Sequence, residues 1–273
     1  MMLTENLEYL KNKLQAAGFS EIPDEALKAQ LEKRPANFQL YYRARVDSHP
    51  VVATLYFIRS EQSELYFFHR FDLSVTLPSS QGILKQAFQH DRERQLTLRE
   101  AFNLLQGRAV NKDFVTAEGA PYNAWVQLDF TRQDSQGNYL VRYYHERYGF
   151  NLEEELGKYR FREWQDAAQR ARLLSALRAG DRQEVTSLTG DQEETYLIEA
   201  NPHFKSLKIY DQQMRRVSYR RLMDRPGEAD ADEPASAAQA RGRDHVHGKK
   251  RPAEKKKRGG LPDRQPPRGN GSR

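Results

Sequence analysis

The spacing of hydrophobic and polar residues divides the first third of the chain into helices followed by strands. Apolar residues at helical spacing predict an amphipathic first helix, and a second helix is predicted after Pro23. One stripe of the first helix carries four leucines: Leu3, Leu7, Leu10 and Leu14. Three strand-like runs at 38–46, 51–59 and 65–75 have short polar connections and predict an antiparallel meander. The apolar residues that follow, between 83 and 88, predict a short helix or an ordered loop.

A helix, a glycine stop and a β-hairpin are predicted over residues 97–130. Thr97 and Glu100 have the spacing of a capping box, in which each side chain accepts a hydrogen bond from the other residue's backbone N–H. Gly107 is the predicted left-handed residue that ends the helix. Residues 122–130 alternate, with apolar side chains on one face. Trp125 is predicted on the opposite, polar face of that strand.

The same order of elements recurs about seventy residues later. Gly180 takes the place of Gly107, and residues 184–188 and 194–200 form the second predicted hairpin. Each copy continues with an extended run, at 139–143 and 207–210, and then with a helical segment, at 152–156 and 214–222. These features indicate an internal duplication, although helix, glycine and hairpin is also an arrangement common enough to recur by chance. The pattern leaves open whether the two units share one sheet.

The predicted fold class is α+β, with N-terminal helices on an antiparallel meander and then two helix-plus-β-hairpin units. An N-terminal α+β domain is predicted at 1–92 and a tandem helix/β-hairpin domain at 93–223, with units at about 97–158 and 159–223. Residues 224–273 are rich in Pro, Gly, Ala and charged residues and bury too little apolar surface to offset the entropy of ordering. A disordered acidic linker and basic tail are therefore predicted there.

Charge is concentrated at the C-terminal end of the chain. Residues 241–273 hold twelve Lys and Arg and three acids, a net charge of +9, whereas 224–240 carry −4. The whole chain is +6, so residues 1–223 are nearly neutral at +1. The predicted binding cluster in this basic tail has seven cations: Lys249, Lys250, Arg251, Lys255, Lys256, Lys257 and Arg258. Such arms bind DNA or RNA nonspecifically by releasing counterions, but a solubilising tail or a contact with the acidic linker would have the same composition.

Aromatic residues and arginines interleave only in the predicted meander. The hypothesis is a platform on which single-stranded nucleic acid stacks, with phosphates bound by Arg. Its five residues are Tyr41, Arg43, Arg45, Tyr66 and Phe68. The favoured alternative is an ordinary sheet with Tyr and Arg on its solvated face, because the glycine-aromatic signature of the common RNA-recognition fold is missing.

Other chemistry is not predicted. The chain has no cysteine, which excludes disulfides and thiolate sites, and its apolar runs are too short for a membrane helix. With no signal sequence, a cytoplasmic protein without membrane contact is predicted. His145 and Glu146 are adjacent and point in different directions, and His203 has no second ligand at metal-binding spacing. No catalytic residue, metal or cofactor is therefore predicted.

The chain resembles a family of proteins of unknown function carried on Bacteroidetes-type conjugative transposons. Three runs carry this resemblance: LTLREAFNLLQGRAVNKDFV, YNAWVQLDF and IEANPHFKSLKIYD. The region around 180–217 also resembles a domain of unknown function that occurs beside topoisomerase-like regions in such elements. The resemblance covers about residues 1–223 and implies no activity. No run resembles the catalytic tyrosine motif of topoisomerases or relaxases, so that chemistry is not assigned.

Three hypotheses for function follow. The first is a non-enzymatic accessory protein of a mobile element that associates with nucleic acid through its basic tail. The alternative is a protein–protein adapter that presents sheet edges, or Trp125 and its neighbours, to a partner from the same element. The third is an enzyme with no recognisable motif.

Overall fold

A computed structural model describes residues 2–76, 82–90, 95–189, 193–218 and 222. Backbone contacts divide the chain into a unit of Met1–Ala231 and a unit of Asp232–Arg273, and all the described residues lie in the first. That unit combines helices with antiparallel sheets, which confirms the predicted α+β fold class. The predicted disorder of 224–273 concerns residues outside the described ranges. No described helix is both long enough and apolar enough to cross a bilayer.

The N-terminal part is a four-stranded antiparallel sheet with helices on one face. Its strands are hydrogen-bonded in chain order: β1 (Asn37–Val46), β2 (His49–Arg59), β3 (Tyr66–Thr76) and β4 (Ile83–Gln89). Helices α1 (Met2–Ala16) and α2 (Asp24–Lys33) bury leucines such as Leu10 and Leu31 in the same core as the inner face of this sheet. The predicted meander is therefore confirmed, and it has one more strand.

Strand β4 replaces the short helix or loop that the apolar residues between 83 and 88 predicted. Leu84, Gln86 and Phe88 alternate with exposed or half-buried residues, so the apolar face has a period of two. Buried Gln86 hides that period because it is polar. It is satisfied by two hydrogen bonds, since its amide donates to the Tyr139 carbonyl at 3.2 Å and accepts from the Tyr139 N–H at 2.8 Å.

The first helix-plus-hairpin unit has the predicted local structure. It contains α3 (Leu98–Leu105), β5 (Val110–Val115), β6 (Pro121–Gln133) and β7 (Tyr139–His145). The capping box is present, because the Glu100 N–H donates to the Thr97 hydroxyl at 3.2 Å and the Thr97 N–H donates to the Glu100 carboxylate at 2.8 Å. Gly107 ends the helix with φ of 78°.

The second unit repeats this order in a separate sheet. Helix α6 (Ala167–Arg178) is followed by Gly180 with φ of 82°, and the strands after it form a three-stranded sheet separate from that of β5–β7. The strands of the second sheet are β8 (Gln183–Ser187), β9 (Glu194–Asn201) and β10 (Ser206–Tyr210). Between the units lie a 3₁₀ turn (Glu146–Tyr148), α4 (Leu152–Leu156) and α5 (Arg162–Gln165).

The helix predicted at 214–222 is wrong for the described residues 214–218. The chain instead turns after β10, and Tyr210 forms an isolated β-bridge with Arg216. The Asp211 carboxylate stabilises this turn, because it accepts hydrogen bonds from the backbone N–H groups of Gln213 and Arg215, both at 2.9 Å.

The sheet of β5–β7 lies between two hydrophobic cores. Its face with Val110, Val126 and Leu128 packs into the core that contains α1–α3 and the four-stranded sheet. Its opposite face, with Trp125 and Tyr144, belongs to a second core built from α4, α6 and the sheet of β8–β10. The first core includes residues on both sides of position 92, and the predicted domain boundary there stays a prediction.

The environment of Asp129 on β6 is expected to make the free energy of unfolding depend on pH. Its carboxylate accepts hydrogen bonds from the Thr131 hydroxyl at 2.6 Å and from the Arg142 guanidinium at 2.7 Å, which lower its pKa to about 2. A depressed pKa stabilises the fold above the unfolded value of about 3.9, and this contribution is lost as the pH falls from about 4 to 2. Asp129→Asn is expected to lower the free energy of unfolding by about 1.5–3 kcal/mol at neutral pH. Between about pH 4 and 2 the variant should then lose less stability than the wild type, because it lacks the carboxylate that becomes protonated. Urea unfolding at a series of pH values tests this, and parallel pH profiles for the two proteins would contradict it.

Candidate nucleic-acid interface

One face of the four-stranded sheet is covered by helices, and the other, which we call the open face, is solvated. Because side chains alternate along each strand, residues that pair across β1–β4 at the same level share a face. Arg43 pairs with Val52, Val52 with Ser74, and Ser74 with Lys85, and this row crosses the open face.

Strand β1 places three of the predicted site residues on the open face. Tyr41 is 68% exposed, the most exposed tyrosine among the described residues, and Arg43 and Arg45 are exposed beside it. Arg45 donates to the Ser48 carbonyl, which leaves its charge unneutralised. Arg43 has no ion-pair or hydrogen-bond partner within the described residues. These side chains are therefore free to contact a ligand.

The other two predicted residues, Tyr66 and Phe68, are not on this face. They are 2% and 5% exposed and belong to the first core. A β-bulge causes the difference, because Tyr56 pairs with Arg70 while the next residue, Phe57, pairs with Phe68. Because His69 is the extra residue, even-numbered residues of β3 face inward before it and odd-numbered residues face inward after it. The predicted role of Tyr66 and Phe68 in stacking is therefore corrected to a role in the core.

Three further side chains that were not in the predicted site lie on the open face: Tyr56, Arg70 and Lys85. The Arg70 guanidinium lies 4.3 Å from the centre of the Tyr56 ring, and the Tyr56 hydroxyl donates to Asp72 at 3.2 Å. Lys85 on β4 is 66% exposed, with its ammonium 3.9 Å from the Asp72 carboxylate. The alternation of Ile83–Gln89 was the signal that could have identified Lys85. No local pattern indicated the bulge.

The open face is cationic and partly aromatic. Among the described residues, its outward strand positions carry four cations and one carboxylate, Asp72. The cations are Arg43, Arg45, Arg70 and Lys85. Guanidinium groups bind phosphates through paired N–H donors, and a tyrosine ring with an exposed face can stack on a base. The surface therefore has the two chemical elements needed to bind a single strand.

Other residues considered from the sequence lie elsewhere. Trp125 is 6% exposed in the second core, so it cannot present itself to a partner. His203 lies with its Nδ1 3.3 Å from the Tyr144 hydroxyl, and within the described ranges no three His, Asp or Glu residues are grouped to hold a metal. The seven cations of the basic tail, Lys249 to Arg258, are outside the described residues.

Comparisons of the chain with protein-family models, curated protein sequences and solved structures find no match. The resemblance to proteins of conjugative transposons therefore stays a prediction from the sequence. Function has to follow from the geometry and charge of the residues themselves.

Proposed function

We propose that this chain is a non-enzymatic, cytoplasmic accessory protein of a mobile element that associates with nucleic acid. The basic tail at 241–273 supplies most of the affinity, without sequence specificity, and the open face of the sheet adds a preference for single strands. The observation that carries this proposal is the unneutralised charge of Arg43 and Arg45 beside the exposed ring of Tyr41.

The tail and the sheet would contribute different parts of the binding. A tail of net charge +9 attracts any polyanion and releases its counterions, so its contribution falls steeply with salt. Stacking on Tyr41 needs an unpaired base and depends little on salt. A duplex offers phosphates to both surfaces but exposes no base faces along its length, so it would gain less from the sheet.

The tail is tested in the full-length chain by replacing its seven clustered cations with glutamine. We expect at least a tenfold loss of affinity for both single- and double-stranded DNA and RNA, measured by fluorescence anisotropy. The slope of log affinity against log salt should become shallower by about 0.9 for each duplex phosphate that the tail no longer neutralises. Unchanged affinity and slope would contradict the proposal for the tail.

The sheet is tested by Arg43→Gln combined with Arg45→Gln and Tyr41→Ala. We expect a loss of about fivefold or more for single strands and a smaller loss for duplexes, because only single strands use the ring. The matched control is Lys28→Gln with Lys33→Gln, which removes the same charge from α2, on the covered side of the sheet. If the open-face substitutions and the α2 control substitutions lowered the affinity for single strands equally, the open face would not be a binding surface. If neither tail nor sheet substitutions matter, the adapter hypothesis, with sheet edges as the binding surface, becomes the better explanation.

A further inference from the structure

One edge of the four-stranded sheet is formed by its first strand, β1. This strand pairs with β2 over ten residues without a bulge, and no described strand pairs with its other side, which we call the β1 edge. The Ala36 carbonyl, just before β1, accepts from the Arg59 N–H at the end of β2 at 3.0 Å. Because the direction of the backbone groups alternates along a strand, even-numbered residues of β1 bond to β2. The odd-numbered residues direct their N–H and C=O groups away from the sheet.

Four of these odd-numbered residues line the middle of the β1 edge: Gln39, Tyr41, Arg43 and Arg45. All four are exposed, and within the described part of the chain their backbone N–H and C=O groups have no hydrogen-bond partner. A row of unpaired backbone groups is a template for one more strand unless a bulge, a proline or a covering element blocks it. Strand β1 contains no proline, so its edge is open to strand addition.

The charge beside the β1 edge indicates which residues an added strand would carry on the open face. Arg43 and Arg45 are the only charged residues of β1. Their neighbours on β2 are Val52 and Pro50, so no carboxylate on the adjacent strand neutralises them. Opposite charges that face each other on adjacent strands attract, and like charges repel. A strand with acidic residues at these two levels is therefore complementary to the edge.

The inner side of the same edge is apolar. Leu40, Ala44 and Val46 are half-buried and pack against the first core. Side chains of a strand laid beside β1 would alternate between the two faces of the sheet, so one set would lie next to the guanidinium groups and the other next to these apolar groups. The complementary strand therefore alternates acidic with apolar residues.

We propose that the β1 edge binds an extended segment of a partner protein in which acidic residues alternate with apolar ones. Pairing would be antiparallel, as in every strand pair of the described sheets, and main-chain hydrogen bonds would supply most of the affinity. A second copy of this chain fits less well, because two β1 strands bring four guanidinium groups and no carboxylate together. The inference does not depend on the proposed association with nucleic acid, although both ligands would compete for Arg43 and Arg45.

The acidic pattern is tested with a labelled peptide of about seven residues, enough to pair with 39–45, in which glutamate and valine alternate. Its fluorescence anisotropy is measured with the full-length chain in which the seven clustered tail cations are glutamine, because the basic tail would attract any acidic peptide. We expect this peptide to bind about fivefold or more tighter than the same peptide with glutamine in place of glutamate. Equal affinities would overturn the assignment of an acidic partner.

Main-chain pairing is tested by methylating backbone nitrogens of the peptide. In antiparallel pairing, the glutamates opposite Arg43 and Arg45 exchange both backbone hydrogen bonds with them, whereas the valine N–H groups point away from β1. We expect N-methylation of the glutamates to weaken binding about tenfold or more and N-methylation of the valines to leave it nearly unchanged. Equal effects of the two methylations would show that the peptide does not add to the sheet.

The site on the protein is tested by Arg43→Gln with Arg45→Gln, which should weaken peptide binding about fivefold or more. The α2 pair Lys28→Gln with Lys33→Gln removes the same charge and should leave binding unchanged. Gln39→Pro removes one outward N–H donor and should also weaken binding, since an edge strand tolerates proline where the nitrogen faces solvent. Its melting temperature, followed by circular dichroism, shows whether the fold is retained. If Gln39→Pro does not fold, the N-methylated peptides still decide the question, because they leave the protein unchanged.

Sedimentation of the chain alone tests a second copy as the occupant. If the chain dimerises, Gln39→Pro makes it monomeric and the acidic peptide does not bind, the β1 edge joins two copies and the proposed partner is wrong. If the chain binds oligonucleotides but not the peptide, this inference fails and the proposed function stands. Binding of the peptide without binding of oligonucleotides would have the opposite meaning.

Discussion

Replacing Gly180 with alanine is expected to lower the free energy of unfolding by about 2–5 kcal/mol. Gly180 has φ of +82°, and a left-handed conformation costs a residue with a Cβ atom about 1–2 kcal/mol. The added Cβ would also lie 2.9 Å from the Ala109 carbonyl oxygen and 2.9 Å from Val110 Cγ2. Overpacking of this kind adds about 1–3 kcal/mol, because Ala109 and Val110 join the loop after α3 to β5 and cannot move freely.

Gly107 is the matched control, because it occupies the equivalent position in the first unit. It has φ of +78°, but the nearest atom to its added Cβ is Phe130 Cε2 at 3.5 Å, which is an ordinary contact. Gly107→Ala is therefore expected to cost only the conformational part, about 1–2 kcal/mol. Urea unfolding followed by circular dichroism measures both variants. Equal losses of stability in the two variants would mean that an added Cβ atom at position 180 does not clash with Ala109 and Val110.

The features that the sequence predicted correctly depend on residues close together in the chain. The Thr97–Glu100 capping box is made by four consecutive residues, and the left-handed glycines follow directly from the end of each helix. The order of helix, glycine and strands in both units could be predicted for the same reason, since each element is indicated by its own local sequence. None of these features required knowing which surface the element would pack against.

The errors arose where tertiary packing decides the outcome. A single extra residue at His69 reversed the inward face of β3, and it moved Tyr66 and Phe68 from the predicted interface into the core. A polar residue at a core position, Gln86, disguised β4 because its partner Tyr139 lies 53 residues away in the chain. The bulge leaves no signal in the local pattern of hydrophobic residues, and Gln86 interrupts the alternation that would otherwise indicate β4.

Only the β1 part of the candidate interface could therefore be predicted from the sequence. Tyr41, Arg43 and Arg45 could be assigned from the alternation of β1, which runs without a bulge. The pairing of Tyr56 with Arg70 depended on the register of β3, and the position of Lys85 depended on the existence of β4.

Trp125→Ala is expected to cost about 3–5 kcal/mol, the range for a buried large aromatic residue. The pattern of β6 places Trp125 among Asn123, Gln127 and Asp129, which predicted a polar, exposed face. The structure instead gives it 6% exposure and an edge-to-face contact with Phe150 at 5.3 Å. The polar neighbours are compatible with burial because Asp129 pairs with Arg142 and the Gln127 amide donates to the Gly107 carbonyl at 2.8 Å.

Tyr41→Ala serves as the comparison, since Tyr41 is also an aromatic residue on a strand but is 68% exposed. Its removal should change stability by no more than about 0.5 kcal/mol. Urea unfolding of both variants distinguishes the two positions, and Trp125→Phe should recover part of the loss by keeping a ring against Phe150. A near-neutral Trp125→Ala would mean that this face of the β5–β7 sheet is solvated, and it would restore Trp125 as a surface that an adapter could use. A large loss instead shows that the β5–β7 sheet is a layer shared by both cores, which leaves the open face of the four-stranded sheet as a surface available for ligands.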